Sequence, residues 1–510
     1  MKLFSKLPIK LSTPIKQAML YAISVALMRG ISLLMLPFLA NFLSPEEFGR
    51  LELLSSIAIV GSVLVGLGLE DALFRFVGQS DNDDERKRIA GSIFTLTIII
   101  GGVFALLHYP LATLLATFIP GELSLYAIQL VLMILALEGV ISVPLGWLRM
   151  RDKAALFCVV SVGRVFIQAG LTFWFLSDGK GVEGVFEAGF IAVCIQALTL
   201  SWLQLRDTGL RLCKNQCKSI LFYSVPLVVS GLLAFGLNGF DRWVIATTVG
   251  IDQVALYGIA AKFSIAITIL MQPYGMWWMP RRFSELTKAD GINNVLRYSV
   301  LGLVMIILLM LIVGLLAPWL IVFMLPAEYS TAGIYVVGLI SIVALKEATE
   351  FINIGCFKND STKIQLWINI ATTFIGCIML LIGAELYAVW GIIGALFIAY
   401  SLRLSLFFYY SQRVVFIDYP IKKLVLLFSI ASLMLVLTLQ YSTLSTGELL
   451  EIKLLSVDIL LVILVFIVLL LMLIHTVIEL LLPLFSQQDM HNDSRSANTF
   501  KKRWPLFNGS

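Results

Sequence analysis

Charge is what this chain most conspicuously lacks. Only 14% of its 510 residues are Asp, Glu, Lys or Arg, against roughly 25% in soluble domains. No polar linkers divide it in the way a soluble multidomain chain of this length requires. Histidine is scarcer still: His108, His475 and His491 stand too far apart for a metal site or a nucleophile–base pair. No G-x-x-x-x-G-K-[ST] run occurs, which excludes a P-loop phosphate cradle for ATP. The six cysteines, Cys158, Cys194, Cys213, Cys217, Cys356 and Cys377, fall mostly in apolar segments and read as small buried hydrophobes. Cys213 and Cys217 share one loop, where neither a disulfide nor a two-ligand metal site is expected. With no large polar domain to carry catalytic groups, no enzyme activity and no cofactor are expected.

Apolar sequence is what fills the chain. Hydrophobic residues make up 59% and the mean hydropathy is +0.94. A helix that crosses a bilayer needs about 20 mostly apolar residues, and fourteen segments meet that need. They run over 17–43, 50–74, 89–109, 123–147, 154–176, 183–204, 219–249, 252–279, 298–319, 331–355, 364–384, 387–409, 421–441 and 454–483. Lys2, Lys6, Lys10 and Lys16 precede the first segment as they would in a signal peptide. That segment, 17–43, is too long for the apolar core of a leader and lacks a small-residue cleavage site, so it is expected to remain as the first membrane helix. The polar residues 487–510 are expected to be a disordered tail.

Orientation follows from the basic residues, which are retained on the cytoplasmic side of short loops. Under this division, 28 of the 37 Lys and Arg fall in the amino-terminal segment, the even-numbered loops and the tail. The alternate loops hold only Arg50, Lys180 and Lys453, and six basic residues lie inside membrane segments. Both termini are therefore expected in the cytoplasm of a bacterial inner membrane. Because the net charge of +5 is spread over loops and not gathered on one soluble face, a nucleic-acid partner is not expected.

The chain also repeats itself. A shift of 206 positions places the turn Ser44-Pro45-Glu46-Glu47-Phe48-Gly49 on Gly250-Ile251-Asp252-Gln253-Val254-Ala255 and Arg75 on Arg281. A shift of 208 brings Met150-Arg151-Asp152-Lys153 onto Lys358-Asn359-Asp360-Ser361, and Gly184 corresponds to Gly391 at 207. The expected architecture is an all-α polytopic membrane protein of about fourteen helices. A cytoplasmic segment, 1–16, precedes an N-lobe over 17–204 and a C-lobe over 219–409. These two six-helix repeats enclose a central cavity, and two further helices follow within 421–483. Parallel repeats of this kind place a substrate path between halves.

Ionisable groups inside a bilayer are expensive, which makes them the default functional candidates. The basic ones are Arg29, Arg164, Arg242, Lys262, Lys346 and Arg403. Lys262 lies ten residues beyond Asp252, about 15 Å into a core about 30 Å thick. Asp241 and Arg242 are adjacent, about 100° apart on a helix, so one of them is expected to turn into the cavity. Lys346 and Glu350, spaced i, i+4, can neutralise each other. Glu138 and Glu187 are lone carboxylates that could carry a proton or pair with Arg164. Under the shift of 206, Arg29, Asp241 and Lys262 fall on Phe235, Met35 and Ser56. The scaffold repeats but the buried charges do not, which points to contacts with a substrate or an ion.

Four stretches carry a family resemblance: Leu43-Ser44-Pro45-Glu46-Glu47-Phe48-Gly49; Asp241-Arg242; Leu256-Tyr257-Gly258-Ile259-Ala260-Ala261-Lys262-Phe263; and Pro280-Arg281-Arg282-Phe283-Ser284-Glu285-Leu286. In this order and spacing the chain, from about Met19 to Arg413, resembles the polysaccharide-biosynthesis flippases. These are the Wzx-type O-antigen translocases of the multidrug/oligosaccharidyl-lipid/polysaccharide exporter superfamily. The resemblance implies alternating-access movement of an undecaprenyl-diphosphate-linked oligosaccharide from the cytoplasmic to the periplasmic leaflet, coupled to Na+ or H+. Arg29, Arg164, Arg242 and Lys262 would line a cationic cavity for the diphosphate, and Asp241, Glu138 and Glu350 are the candidate coupling carboxylates. Polysaccharide polymerase and glycosyltransferases are the implied partners. Rival readings are a multidrug antiporter of the same superfamily, a flippase for peptidoglycan lipid precursor, and a non-transporting scaffold for glycosyltransferases. A cation exporter would want a carboxylate-rich cavity, whereas the buried set here is led by cations.

Overall fold

The structure, a computed structural model, describes residues 13–80, 82–212, 214–279, 281–286, 288, 290–357, 363–448 and 464–481. The predicted tail at 487–510, most of the amino-terminal segment and the start of the last predicted helix lie outside the described residues. Among the described residues there is no strand, and thirteen helices are long and apolar enough to cross a membrane. Helices are the expected answer because a bilayer core offers no water to backbone N–H and C=O groups, which must then bond within the segment.

In chain order the helices are α1 (Thr13–Phe42), α2 (Pro45–Gly66), α3 (Leu69–Gly78), α4 (Asp83–Leu106), α5 (His108–Phe118) and α6 (Leu125–Ala136). Then come α7 (Glu138–Met150), α8 (Ala154–Ser177), α9 (Gly181–Thr208), α10 (Lys214–Asn238), α11 (Phe240–Thr248) and α12 (Ile251–Ser264). The remainder are α13 (Ala266–Trp278), α14 (Arg282–Leu286), α15 (Gly291–Met324), α16 (Ala332–Ile352), α17 (Lys363–Val414), α18 (Ile421–Glu448) and α19 (Leu464–Leu481). Several predicted spans are thus two helices end to end. Leu67 and Gly68 both take positive φ, 48° and 61°, and break α2 from α3. A turn at Leu137 separates α6 from α7, and Gly239 separates α10 from α11. Helix α5 was not expected from hydropathy, which placed a loop there.

The count of thirteen becomes fourteen at α17. A straight helix of its 52 residues would reach about 78 Å, more than twice the roughly 30 Å core. It is broken at Tyr387 and Ala388, whose backbone angles leave the helical region. Across this break Gly383 and Gly391 pack backbone to backbone: a Cβ on Gly391 would lie 1.8 Å from the Gly383 carbonyl oxygen, and one on Gly383 2.5 Å from that of Gly391. Residues eight apart on a straight helix are about 12 Å apart, so the chain doubles back here. This hairpin separates the predicted spans 364–384 and 387–409.

Backbone contacts divide the described residues into two compact units. One comprises those within Met1–Ile259, Ile321–Ala332 and Asn369–Leu396; the other those within Ala260–Leu320, Gly333–Ile368 and Phe397–Ser510. In the first unit a core forms around Leu69, Phe94, Val143, Trp147 and Leu200. Its basic end is tied by Arg149 to Glu70, Arg151 to Asp83, Lys153 to Asp207 at 3.7 Å, and the Trp147 indole N–H to Asp207 at 2.8 Å. The second unit packs around Met310, Ile340, Leu427 and Met434. Large apolar side chains such as Leu34, Phe222 and Phe323 are exposed on the surfaces, as a lipid solvent allows.

The first turn found in the sequence has a local cause. Ser44 caps α2: its Oγ accepts from the Glu47 N–H at 3.3 Å, and the Glu47 carboxylate accepts from the Ser44 N–H at 3.0 Å. Pro45 occupies the first helical position, where no N–H is needed. Its counterpart by the shift of 206, Gly250, has φ 135° and precedes α12. Gly391→Ala is expected to pry the α17 hairpin apart and to lower sharply the amount of protein in the membrane on immunoblots. Gly394→Ala, where a Cβ meets nothing within 4 Å, is the control and should leave that amount unchanged.

Candidate functional site

One polar cluster inside the membrane segments lies in the first unit, where α2, α11 and α12 meet. Glu52 on α2 and Asp241 in the first turn of α11 are each 4% exposed. Arg242 places its Nε 3.4 Å from a Glu52 oxygen and its Nη1 3.5 Å from an Asp241 oxygen. The Tyr257 hydroxyl donates to Asp241, and the Trp243 indole N–H donates to Ser56 Oγ at 2.8 Å. Gly258 makes room for this set, because a Cβ there would lie 2.6 Å from the Glu52 Cγ. Charges this deep persist only when paired and hydrogen-bonded, and each member here answers another.

This arrangement corrects the expectation for Asp241 and Arg242. Although both lie within the first turn of α11 and point apart, they belong to one cluster, because the long Arg242 side chain reaches from Asp241 to Glu52 while Asp241 accepts from Tyr257. There Asp241 also lies at the positive end of the helix dipole. Hydropathy alone did not single out Glu52, Ser56 or Tyr257. Glu52 stands near the predicted start of a span, where a carboxylate reads as interfacial, and Tyr257 was legible only as part of a family motif.

A second polar layer in the same unit joins α7, α8 and α9 near mid-helix. The Arg164 guanidinium donates to Gln196 Oε1 at 3.2 Å, and Glu138, first residue of α7, is its acidic neighbour. Glu187 does not join them. It accepts from Lys180 Nζ at 2.7 Å and from the Tyr126 hydroxyl at 3.2 Å at the far end of α9. There the carboxylate's hydrogen bond raises the Lys180 pKa above its ordinary value. Arg29, near the middle of α1, is exposed and has no ion pair among the described residues.

In the second unit Lys262 is half-buried on α12. Lys346, on α16, has Glu347, Glu350 and Arg403 as charged neighbours, so the expected local neutralisation by Glu350 is shared with Glu347. Glu347 also accepts from the Thr268 hydroxyl at 2.7 Å. Glu350 is held at its own end of α16: its carboxylate accepts from Asn353 at 3.1 Å, while its carbonyl and the Asn353 side chain each accept from Arg282 at 2.8 Å. An apolar cavity of about 350 Å³ lies among Leu303, Ile307, Ala344, Leu404 and Phe408, a place for hydrocarbon and not for an ion. Among the described residues no group of three or more His, Cys, Asp or Glu is disposed to hold a metal.

A bundle of apolar helices with a few paired charges set deep inside it defines a polytopic membrane protein. The fold agrees with solved transporters. The lipid II flippase MurJ in an inward closed conformation superposes with a TM-score of 0.63 over 90% of this chain and 99% of its own, at 13% identity. An inward-facing multidrug resistance MATE family transporter of the MOP superfamily gives 0.54 over 77% and 93%, at 17% identity. In sequence, a Shigella flexneri protein named "Putative O-antigen transporter" is 24% identical over 299 residues, 55% of this chain and 69% of that one. The family described as "Polysaccharide biosynthesis protein" matches residues 15–287, more than half of the chain. The chain belongs to the polysaccharide biosynthesis protein family.

Gly258→Ala presses on Glu52 and is expected to destabilise the protein by about 1–3 kcal/mol, seen as a lower thermal midpoint in detergent. Gly275→Ala, with nothing within 4 Å of its Cβ, should be neutral or stabilising by up to about 1 kcal/mol.

Proposed function

We propose that this protein is a flippase that carries an undecaprenyl-diphosphate-linked oligosaccharide, an O-antigen or other surface-polysaccharide repeat unit, from the cytoplasmic to the periplasmic leaflet of the bacterial inner membrane. The observation that carries the reading is a charge pattern inside a family of known business. Membership of the polysaccharide biosynthesis family is joined to membrane-embedded cations, of which Arg29 stands exposed at mid-helix without an acidic partner among the described residues. A diphosphate headgroup is the substrate feature that needs cations in place of its hydration shell, and guanidinium groups match phosphate oxygens geometrically. Arg29, Arg164, Arg242 and Lys262 are the residues proposed to meet it as the two lobes rock about a central cavity. The polyprenyl tail stays in the hydrocarbon while the sugars cross.

Coupling to Na+ or H+ is part of the proposal, with Asp241, Glu138 and Glu350 as the carboxylates. Glu138 beside Arg164 and Asp241 beside Arg242 support it, since in each pair the protonation or ion occupancy of the acid changes how freely the cation can turn to a substrate anion. Both termini are placed in the cytoplasm on the basic-loop pattern. Polysaccharide polymerase and glycosyltransferases are the proposed partners in the membrane. The fold likeness to MATE transporters keeps export of organic cations as the second reading; the Arg residues within the membrane segments oppose it, because they repel such a cargo.

Deletion of the gene is expected to abolish a surface polysaccharide, visible as loss of the ladder on a polysaccharide gel, with drug sensitivity unchanged. Normal polysaccharide together with hypersensitivity to cationic drugs would overturn the reading in favour of the multidrug antiporter. Arg29→Ala and Lys262→Ala should each reduce complementation of that deletion while the protein stays at its normal level in the membrane. Full complementation by both removes them from the site.

A further inference from the structure

In the first unit the two turns related by the 206-residue shift touch. A Cβ on Gly49 would lie 1.9 Å from the Ile251 carbonyl oxygen, so the turn after α1 and the turn before α12 pack backbone against backbone. Phe48 stands 5.8 Å, centroid to centroid, from the ring of Tyr329, whose buried hydroxyl donates to the Leu43 carbonyl at 2.7 Å. Below this seam, one or two helical turns farther along the chain, lies the polar cluster: Glu52 and Ser56 from α2 meet Arg242 and Trp243 from α11. Among the described residues, the end of the bundle that carries few basic residues is thus closed by a backbone seam and the Tyr329–Leu43 hydrogen bond, and fastened below them by the Arg242–Glu52 ion pair and the Trp243–Ser56 hydrogen bond, each joining the predicted N-lobe sequence to that of the C-lobe.

The ion pair is a loose one. Separations of 3.4 Å to Glu52 and 3.5 Å to Asp241 exceed the roughly 2.7–2.9 Å of a well-formed charge-assisted bond. The Arg242 side chain keeps 15% of its surface exposed where that of Glu52 keeps 5%, so an anion can reach the guanidinium before it reaches its partner. A diphosphate offers the guanidinium fork two or more oxygens at once, a geometry that Glu52 does not achieve here.

We propose that Arg242 is a latch held by Glu52 and released by a diphosphate anion, so that recognising the anionic head of the substrate unfastens the closed end of the bundle. The inference rests on the flippase reading for the identity of the anion, but the latch itself does not. A ligand shifts a conformational equilibrium only as far as it favours one state. Competition for Arg242 supplies that preference, because the anion binds the guanidinium that Glu52 has surrendered. The helix break at Gly239 leaves Arg242 on a short separate helix, able to turn without carrying α10 with it. Asp241, bonded to Tyr257, anchors the first turn of that helix while the neighbouring guanidinium changes partner.

The test is thiol accessibility. Ser56, fully buried under Trp243, is replaced by Cys in a full-length chain whose six native cysteines are Ser. Labelling by a membrane-impermeant methanethiosulfonate is followed in proteoliposomes with and without farnesyl diphosphate. Labelling should be slow in the Glu52 background, rise about tenfold with Glu52→Gln, a shift of about 1.4 kcal/mol in the opening equilibrium, and rise likewise with farnesyl diphosphate. Arg242→Gln should label fast and ignore the ligand. Glu52→Arg combined with Arg242→Glu should restore slow labelling, which separates a latch from a mere loss of folding. Unchanged slow labelling in Glu52→Gln overturns the latch. Fast labelling in Glu52→Gln with no response to farnesyl diphosphate overturns the trigger. The flippase reading is judged separately by the surface polysaccharide of the deletion strain.

Discussion

A bilayer gives a protein no water with which to satisfy its polar groups, and every feature of this chain follows from that. Backbone N–H and C=O groups must pair within each segment, so the spans are helices. Lipid tails are as apolar as leucine, so association between spans leans on close packing of small residues and on polar contacts. The Gly383–Gly391 contact within α17 and the Gly49–Ile251 seam are both of the first kind, and in each a single Cβ has no place to go. The Glu52, Asp241, Arg242 and Tyr257 cluster is of the second kind.

The same constraint separates structural charge from functional charge. At the basic end of the first unit, Arg149, Arg151 and Lys153 pair with Glu70, Asp83 and Asp207. These contacts are partly exposed, and pairs of that sort contribute little to stability. Deeper in, Arg164 is held by Gln196 with Glu138 close by, and Arg242 by two carboxylates. Placing such groups inside the membrane costs far more than exposing them at a surface, and a protein retains them where their charge is used. The helix breaks at Leu137 and Gly239 sit directly before Glu138 and just before Asp241. Each break places a carboxylate in the first turn of a new helix, where the dipole favours negative charge. Breaking a helix inside a membrane exposes backbone groups, so the coincidence of breaks with charges links the irregular backbone to the polar sites.

Much of this was readable along the chain. The number of spans, their approximate limits and the two related turns come from hydropathy and from residue order, because each span must meet the same length requirement by itself. The turn at Ser44 is legible for an equally local reason: Ser44, Pro45 and Glu47 carry their own capping chemistry within four residues. Arg164, Arg242 and Glu138 were visible as charges in apolar surroundings. Their partners were not. Glu52 and Arg242 are 190 residues apart and Ser56 and Trp243 are 187 apart, and no periodicity connects such pairs. Glu187 was an equal candidate with Glu138 for Arg164 until helix register sent it to Lys180 and Tyr126. Asp241 and Arg242 were expected to diverge because a helix separates adjacent side chains by about 100°; what joins them is the length of the Arg242 side chain, which reaches both Asp241 and Glu52.

By itself, then, the sequence determined that this is a many-spanned helical membrane protein and which residues in it are costly to bury. Those properties depend on composition and on spacing within a single helix. Only the tertiary structure decided that Gly383 and Gly391 pack against each other where the run after Lys363 doubles back, that Glu138 and not Glu187 accompanies Arg164, and that Glu52 and Asp241 close on Arg242. The physical reason is that a charge's cost is written in its own residue type, whereas its relief is supplied by whichever distant helix the packing brings within about 3 Å.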